Sequence, residues 1–302
     1  MRSSKPSAAL LIIALLSTAM AVAGVWCLWL RIGTAAINTA LAGMGISLGP
    51  CLAAYALVPI KRKQWARRLV LLTGGVGILA FSLTARANLD MEGFFLLILE
   101  GVVGAAIGHT LATVIVGPAL FGRILCGWGC WRAMVVELLP RGLPSVRRRG
   151  IWPYLPFAGV ACSAASAGVG FFLFGHHAGG APGSPHTAGT VPILVGVAVY
   201  LAAAACLAFA LNDQRAFCKY LCPNSVILRL TSRLSALKMA TDSRRCNGCG
   251  ACSRVCPMGI DVRALAVSGR RVGTGECILC QRCAQVCPVD AISATYRFKG
   301  LS

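Results

Sequence analysis

Acidic side chains are the scarcest feature of this chain: Asp and Glu together number 9 in 302 residues, and all charged residues make up 13%. A soluble globular domain carries about 25% charged residues, so an ordinary water-exposed fold along the whole length is excluded. Histidine is scarce as well, at 4. Only His109 falls inside an apolar run long enough to cross a bilayer, which disfavours a bis-histidine haem between helices. A Walker loop, a dinucleotide-binding glycine pattern after a strand and a nucleophile-triad signature are all missing.

What is abundant is apolar surface, at 57% of residues, with a mean hydropathy of +0.74. Almost all of it lies before Leu211, in six runs near 8–30, 33–59, 69–87, 94–117, 151–175 and 190–211. About 20 helical residues cross a hydrocarbon core, so these runs predict about six spans. Asn38 and Pro50 interrupt the second run and the third is short, which leaves a four-span core with re-entrant pieces as the alternative. The first run also has the look of a secretory signal, but it continues unbroken through Val25, Trp26 and Leu28, as an uncleaved anchor does.

The formal charge is +20. The basic residues collect beside the apolar runs, so membrane orientation and anionic lipid, with no role for nucleic acid, are the expected causes. Arg2 and Lys5, then Lys61 to Arg68, then Arg123, Arg132, Arg141 and Arg147 to Arg149 fall on one side, which the positive-inside rule makes cytoplasmic. Arg31, Arg86, Asp90, Glu92 and the neutral loop of 176–189 fall on the other. The expected location is therefore a multi-pass cytoplasmic (inner) membrane protein with its C-terminal domain on the cytoplasmic side.

Cysteine is plentiful, at 16. Eight of these form two CxxCxxCxxxCP runs, Cys246, Cys249, Cys252 and Cys256, then Cys277, Cys280, Cys283 and Cys287. In such runs three thiolates hold one iron-sulfur cube and the fourth reaches the other. Cys246, Cys249, Cys252 and Cys287 are then expected to hold one [4Fe-4S] cluster, and Cys277, Cys280, Cys283 and Cys256 a second. Zinc is the alternative, since CxxC pairs also suit a tetrahedral ion, though it would not call for the same run twice. Gly248, Gly250 and Gly259 allow backbone amides to approach the sulfurs. Cys27, Cys51, Cys162 and Cys206 stand singly in apolar runs and read as buried small hydrophobes.

Two further pairs, Cys126 and Cys130, then Cys218 and Cys222, lie in matching segments. Each has an arginine three residues before its first cysteine (Arg123, Arg215) and an aromatic two after it (Trp128, Tyr220), an internal repeat of hairpin plus CxxxC. Four thiolates there would complete a third cluster; a redox-active dithiol or a pair of interfacial thiols are the other readings. Together with the C-terminal runs, these motifs resemble the NapH, NosR and CcoG group of membrane polyferredoxins over about the last two thirds of the chain. One departure is Trp131, where that group often has proline.

Other candidates are Glu100 and His109, ionisable groups in the fourth run that would suit a quinone site or proton path but point to nearly opposite faces. His176, His177 and His186 share a Gly- and Pro-rich loop and read as solvated. Arg244, Arg245, Arg270 and Arg271 flank the cluster runs and would dock an acidic redox partner or face lipid.

The fold class expected is an α-helical polytopic membrane domain followed by a small α+β two-cluster ferredoxin-like domain. Its parts are spans in 1–117, a cytoplasmic CxxxC loop in 118–150, a hairpin in 151–211, a CxxxC segment and linker in 212–240, and the ferredoxin-like domain in 241–302. The expected function is electron transfer between a cytoplasmic redox carrier and a quinone-type or partner-protein site in the membrane, as a carrier or an oxidoreductase subunit. A redox assembly factor or sensor that serves another enzyme's metal is the alternative.

Overall fold

The computed structural model describes residues 51, 54–55, 57–84, 88–101, 110–139, 142, 147–174 and 190–296. Three helices in it are long and apolar enough to cross a membrane: α1 (Lys63–Thr84), α6 (Leu155–Phe174) and α7 (Thr190–Leu211). At 1.5 Å per residue, 20 to 22 residues reach about 30–33 Å, the thickness of a hydrocarbon core. Helices α6 and α7 are apolar on every face, as a lipid-facing helix is. Their outward side chains include Phe172, 80% exposed, and Val199, 62% exposed. Cys162 and Cys206, expected to be buried, are exposed on these helices and would meet lipid.

Three of the six expected spans are thus present among the described residues. The first run and nearly all of the second lie outside them. The fourth run is not one helix. Its first part, α2 (Met91–Glu100), stops at Gly101, whose left-handed φ of 67° turns its N–H back onto the Ile98 and Leu97 carbonyls. After 102–109, which lie outside the described residues, the chain resumes in a π-helical stretch at Leu111–Val116 and the short α3 (Gly117–Phe121). Next come α4 (Ile124–Trp128) and α5 (Trp131–Leu138), and after α7 the short α8 (Ala216–Tyr220) and α9 (Ser225–Thr231).

Helix packing overturns one topological expectation. Asp90 and Arg132 were placed on opposite sides of the membrane, yet they form an ion pair. The cause is that α5 turns back along α1 rather than leaving the bundle. Gly75 of α1 lies so close to α5 that a Cβ there would stand 2.6 Å from the Met134 sulfur. A similar approach joins Gly159 of α6 to the segment after α8, where a Cβ would stand 2.2 Å from the Leu221 carbonyl oxygen. Small residues of this kind let membrane helices meet backbone to backbone.

The C-terminal unit is built on β1 (Leu237–Thr241) paired antiparallel with β2 (Ile292–Tyr296), in register Leu237↔Tyr296 and Thr241↔Ile292. The LKMAT stretch of β1 has no run of β-branched residues to mark it as a strand. Between them lie α10 (Ala251–Arg254), α11 (Val262–Val267), which the Asp261 carboxylate caps by accepting from the Ala264 N–H at 3.1 Å, and α12 (Arg282–Gln285). The core is Met239, Met258, Ile260, Val262, Val272, Ile278 and Ile292, with cysteines around it.

Two carboxylates fasten this unit to the helices. Glu137, 4% exposed, pairs with Arg67 of α1, with Arg215 before α8, and with Arg282 of α12 at 2.9 Å. Glu276 pairs with Arg123 at 2.9 Å, Arg147 at 2.8 Å and Arg229 at 2.7 Å. Burial alone would raise the Glu137 carboxyl, but Arg215, Arg67 and Arg282 overcome it and hold it at about 2 instead of 4.5. Because the folded-state value is the lower one, the stabilisation is complete above about pH 4.5 and is lost as pH falls toward 2. A shift of that size corresponds to roughly 3 kcal/mol. Glu137→Ala is expected to cost about 3–5 kcal/mol, because three guanidinium groups stay buried without a counter-charge. Thermal unfolding in detergent should therefore show a large drop at neutral pH and a loss of the acid-side slope.

Candidate metal centres

The eight cysteines of the C-terminal unit surround two cavities. Cys256, Cys277, Cys280 and Cys283 line one of about 370 Å³, with Met258 and Ile278. Cys246, Cys249, Cys252 and Cys287 line another of about 310 Å³, with Ala266 and Ile292. The fourth cysteine of each run therefore stands in the cavity of the other run. Among the described residues no three His, Cys, Asp or Glu side chains converge closely enough to hold a single metal ion. A zinc ion requires four sulfurs about 2.3 Å from one point, whereas these wider rings suit a cube with a thiolate at each iron. A backbone N–H at Ala291 donates to the Cys287 sulfur at 3.3 Å, the kind of contact that stabilises a bound thiolate.

The two runs repeat each other in backbone as well as in cysteine spacing. Gly248, Gly250 and Gly259 have left-handed φ values of 69°, 73° and 65°. At the matching places in the second run, Leu279, Gln281 and Asp290 have 53°, 59° and 52°. A non-glycine residue in that region costs about 1–2 kcal/mol. Docking accounts for two of the three. The Leu279 carbonyl accepts from the Trp128 indole N–H at 3.1 Å, and Gln281 Oε1 accepts from the Tyr55 hydroxyl at 3.2 Å. The first run faces solvent and keeps glycine; the second carries side chains where it meets the helices.

The CxxxC segments are also duplicates in three dimensions. The Cys130 N–H bonds the Leu125 carbonyl and the Cys222 N–H bonds the Phe217 carbonyl, each at 2.9 Å. Arg215 Nη1 donates to the Cys126 carbonyl at 2.9 Å and so binds one segment to the other. Cys126 and Cys218 lie near enough to act on both Cys130 and Cys222. Burial pushes the Cys130 thiol up to about 12, with Cys126 and Cys218 adding to the shift. Burial likewise pushes Cys222 up to about 11, and Cys218 and Cys126 add again. Guanidinium groups approach from outside: Arg132 Nη1 lies 4.0 Å from the Cys222 sulfur and Arg215 Nη1 lies 4.0 Å from that of Cys218. Arg123 lies near Cys126 and Cys222. Four cysteine sulfurs inside a cationic shell form a donor set that a metal cluster would complete, displacing the thiol protons as it binds.

Gly127 joins the two regions. A Cβ at Gly127 would stand 2.3 Å from the Ile278 carbonyl oxygen, so the residue after Cys126 touches the residue after Cys277.

Several candidates fall elsewhere. The Glu100 side chain, His109, His176, His177 and His186 lie outside the described residues. Arg245 pairs with Asp242 at 3.4 Å, and Arg271 Nη2 donates to Thr295 Oγ1 at 2.7 Å. Glu137 and Glu276 escaped the sequence reading, although the scarcity of acids beside many arginines was the available signal. Gly127→Ala should push the Ile278 loop away from the helices at a cost of about 1–3 kcal/mol. Limited proteolysis is expected to release the C-terminal unit faster than from wild type.

Comparison with known proteins bears on these centres. A 4Fe-4S dicluster domain matches residues 238–288. A 4Fe-4S binding domain matches twice, at 104–151 and 195–240, once around each CxxxC pair. YccM of Escherichia coli K12, named for electron transport, is 34% identical over 95 residues, 32% of this chain and 26% of YccM. The uncharacterized protein MJ0750 of Methanocaldococcus jannaschii is 27% identical over 225 residues, 67% of this chain and 84% of MJ0750. The ferredoxin-type protein NapH of Escherichia coli K12 is 28% identical over 89 residues, 28% of this chain and 31% of NapH. The chain thus spans about a quarter of YccM and under a third of NapH. No solved structure matches it. With iron-sulfur domains matched over the cysteine runs and over both CxxxC segments, and with relatives of this kind, the chain resembles the NapH-like 4Fe-4S polyferredoxins.

Proposed function

We propose that the chain conducts electrons through three centres in series, between a cytoplasmic carrier and a quinone-type or partner-protein acceptor in the membrane. Cys246, Cys249, Cys252 and Cys287 hold the outer [4Fe-4S] cluster, and Cys256, Cys277, Cys280 and Cys283 the inner one. Cys126, Cys130, Cys218 and Cys222 hold the third. The observation that carries this reading is the contact of Gly127 with Ile278, which sets a ligand loop of the inner cluster directly on a ligand loop of the third centre.

A bound [4Fe-4S] group supplies one-electron exchange at a potential tuned by hydrogen bonds, charge and solvent access. The chain's own residues set those three factors. Cys249 is the exposed cysteine among the eight, which gives a soluble carrier access to the outer site. Trp128 and Leu279, 8% and 4% exposed, keep water from the junction between the inner site and the CxxxC segments. Arg123, Arg132 and Arg215 place positive charge around the third site. The ferredoxin-like domain then caps the cytoplasmic end of a bundle of about six spans, since the basic residues near 61–68 and 147–149 lie at that end.

Iron and acid-labile sulfide in purified wild type are compared with those in Cys126→Ala plus Cys218→Ala protein. A loss of about four irons is expected, one cube's worth, with the reduced-cluster EPR signals of the C-terminal unit unchanged. Unchanged iron content would reject the third centre. In liposomes, chemically reduced protein should be reoxidised by an added quinone; failure would leave a partner protein as the acceptor.

A further inference from the structure

The membrane portion holds a polar group of residues that electron transfer along the three centres does not require. Glu92 sits in the first turn of α2. Its Oε1 accepts from Ser163 of α6 at 2.7 Å and from the Tyr200 hydroxyl of α7 at 2.5 Å. Among the described residues its Oε2 is sealed from solvent and has no hydrogen-bond partner. Arg132 of α5, 4% exposed, stacks on Tyr200 with its guanidinium carbon 4.0 Å from the ring centroid. Arg132 is also the ion-pair partner of Asp90, and its Nη1 lies 4.0 Å from the Cys222 sulfur.

These contacts run in an unbroken order from Cys222 through Arg132 and Tyr200 to Glu92. The charge balance along the series is uneven. Among the described residues, Asp90 at the N-cap of α2, Tyr200 on α7 and Arg132 on α5 are the titratable and charged groups around Glu92, and α6 adds the Ser163 hydroxyl. Two carboxylates therefore share one guanidinium, and Asp90 holds it. A carboxylate with one oxygen unpartnered inside an apolar bundle is costly and is usually tied to a task. An electron added at the four-cysteine site draws further on the charge of Arg132, so the field at Glu92 becomes more negative.

We propose that Glu92 is a proton-loading site, binding one proton on Oε2 when the four-cysteine centre gains one electron and releasing it when that electron leaves. The proposal rests on the third centre being a redox cluster. The electron comes from the inner [4Fe-4S] cluster, which is oxidised by one. The proton comes from a hydronium ion or buffer acid in solvent: an O–H bond breaks there and another forms on Glu92, and the conjugate base, water or the buffer anion, stays in solvent, so charge and atoms balance. Glu100 and His109, the ionisable residues that sequence singled out for such a role, are not needed for it.

The test uses the full chain in detergent, with the midpoint potential of the third centre followed by EPR as pH is varied. In wild type the potential should fall as pH rises, by up to a tenfold change in the reduction equilibrium per pH unit. In Glu92→Gln the fall should vanish while iron content and the potentials of the other two clusters stay as in wild type. Ser163→Ala keeps the carboxylate but removes one hydrogen bond to it, so the pH profile of the potential should differ from wild type. A wild-type potential independent of pH overturns the proposal. So does a Glu92→Gln slope equal to wild type, or a Ser163→Ala profile that does not move. Failure of the third centre itself reads differently: the Cys126→Ala plus Cys218→Ala protein would keep its iron, and both readings would fall.

Discussion

A single buried carboxylate holds this structure together. Glu137 gathers Arg67 from a membrane-length helix, Arg215 from the second CxxxC segment and Arg282 from between two cysteines of the C-terminal unit. Ionised groups so deeply buried are tolerable only when matched, so the four side chains must arrive together. Three parts of the chain that are distant in sequence are thereby fixed in one arrangement. Glu276 does the same from the other side with Arg123, Arg147 and Arg229. The repeat is used twice over, since Arg123 and Arg215 occupy equivalent places and each takes one of the two carboxylates.

This arrangement brings metal-binding loops into contact. The inner cysteine run accepts left-handed backbone at Leu279 and Gln281, where the outer run has glycine. In return the Leu279 carbonyl and the Gln281 amide bond Trp128 and Tyr55. Local strain in the loop is offset by docking, and the docked loop lies against Gly127. Distance governs electron transfer between buried centres, and the protein's part is to hold them close, dry and suitably charged. Those requirements explain why Glu137 and Glu276, two of the few acidic residues, are found at the junctions.

Part of the site was legible beforehand because it is local. CxxCxxCxxxCP spacing reports a cluster loop whatever surrounds it, and the repeated Arg-x-x-Cys pattern reported that the two CxxxC segments are duplicates. The membrane path was less legible. An apolar run of 94–117 reads as a span, but a single left-handed glycine at position 101 ends the helix, and hydropathy is blind to that. Basic residues counted by loop put Arg132 and Asp90 on opposite sides, whereas α5 folds back along α1 and pairs them. The short strand Leu237–Thr241 exists because β2 offers it a partner, not because of its own propensity.

The sequence by itself determined the chemistry: which cysteines form cluster runs, that the chain is rich in apolar runs of membrane length, and that its cysteine spacing suits iron and sulfur. These follow from residue type and spacing within a few turns of chain. Tertiary structure alone decided what lies next to what. It drew the two CxxxC pairs together and set Gly127 against Ile278. It also placed Glu92 at the end of a chain of contacts that begins at Cys222. The physical reason is that ligation is encoded by local spacing, whereas coupling between centres depends on close packing of segments about 40 to 220 residues apart, which no local pattern records.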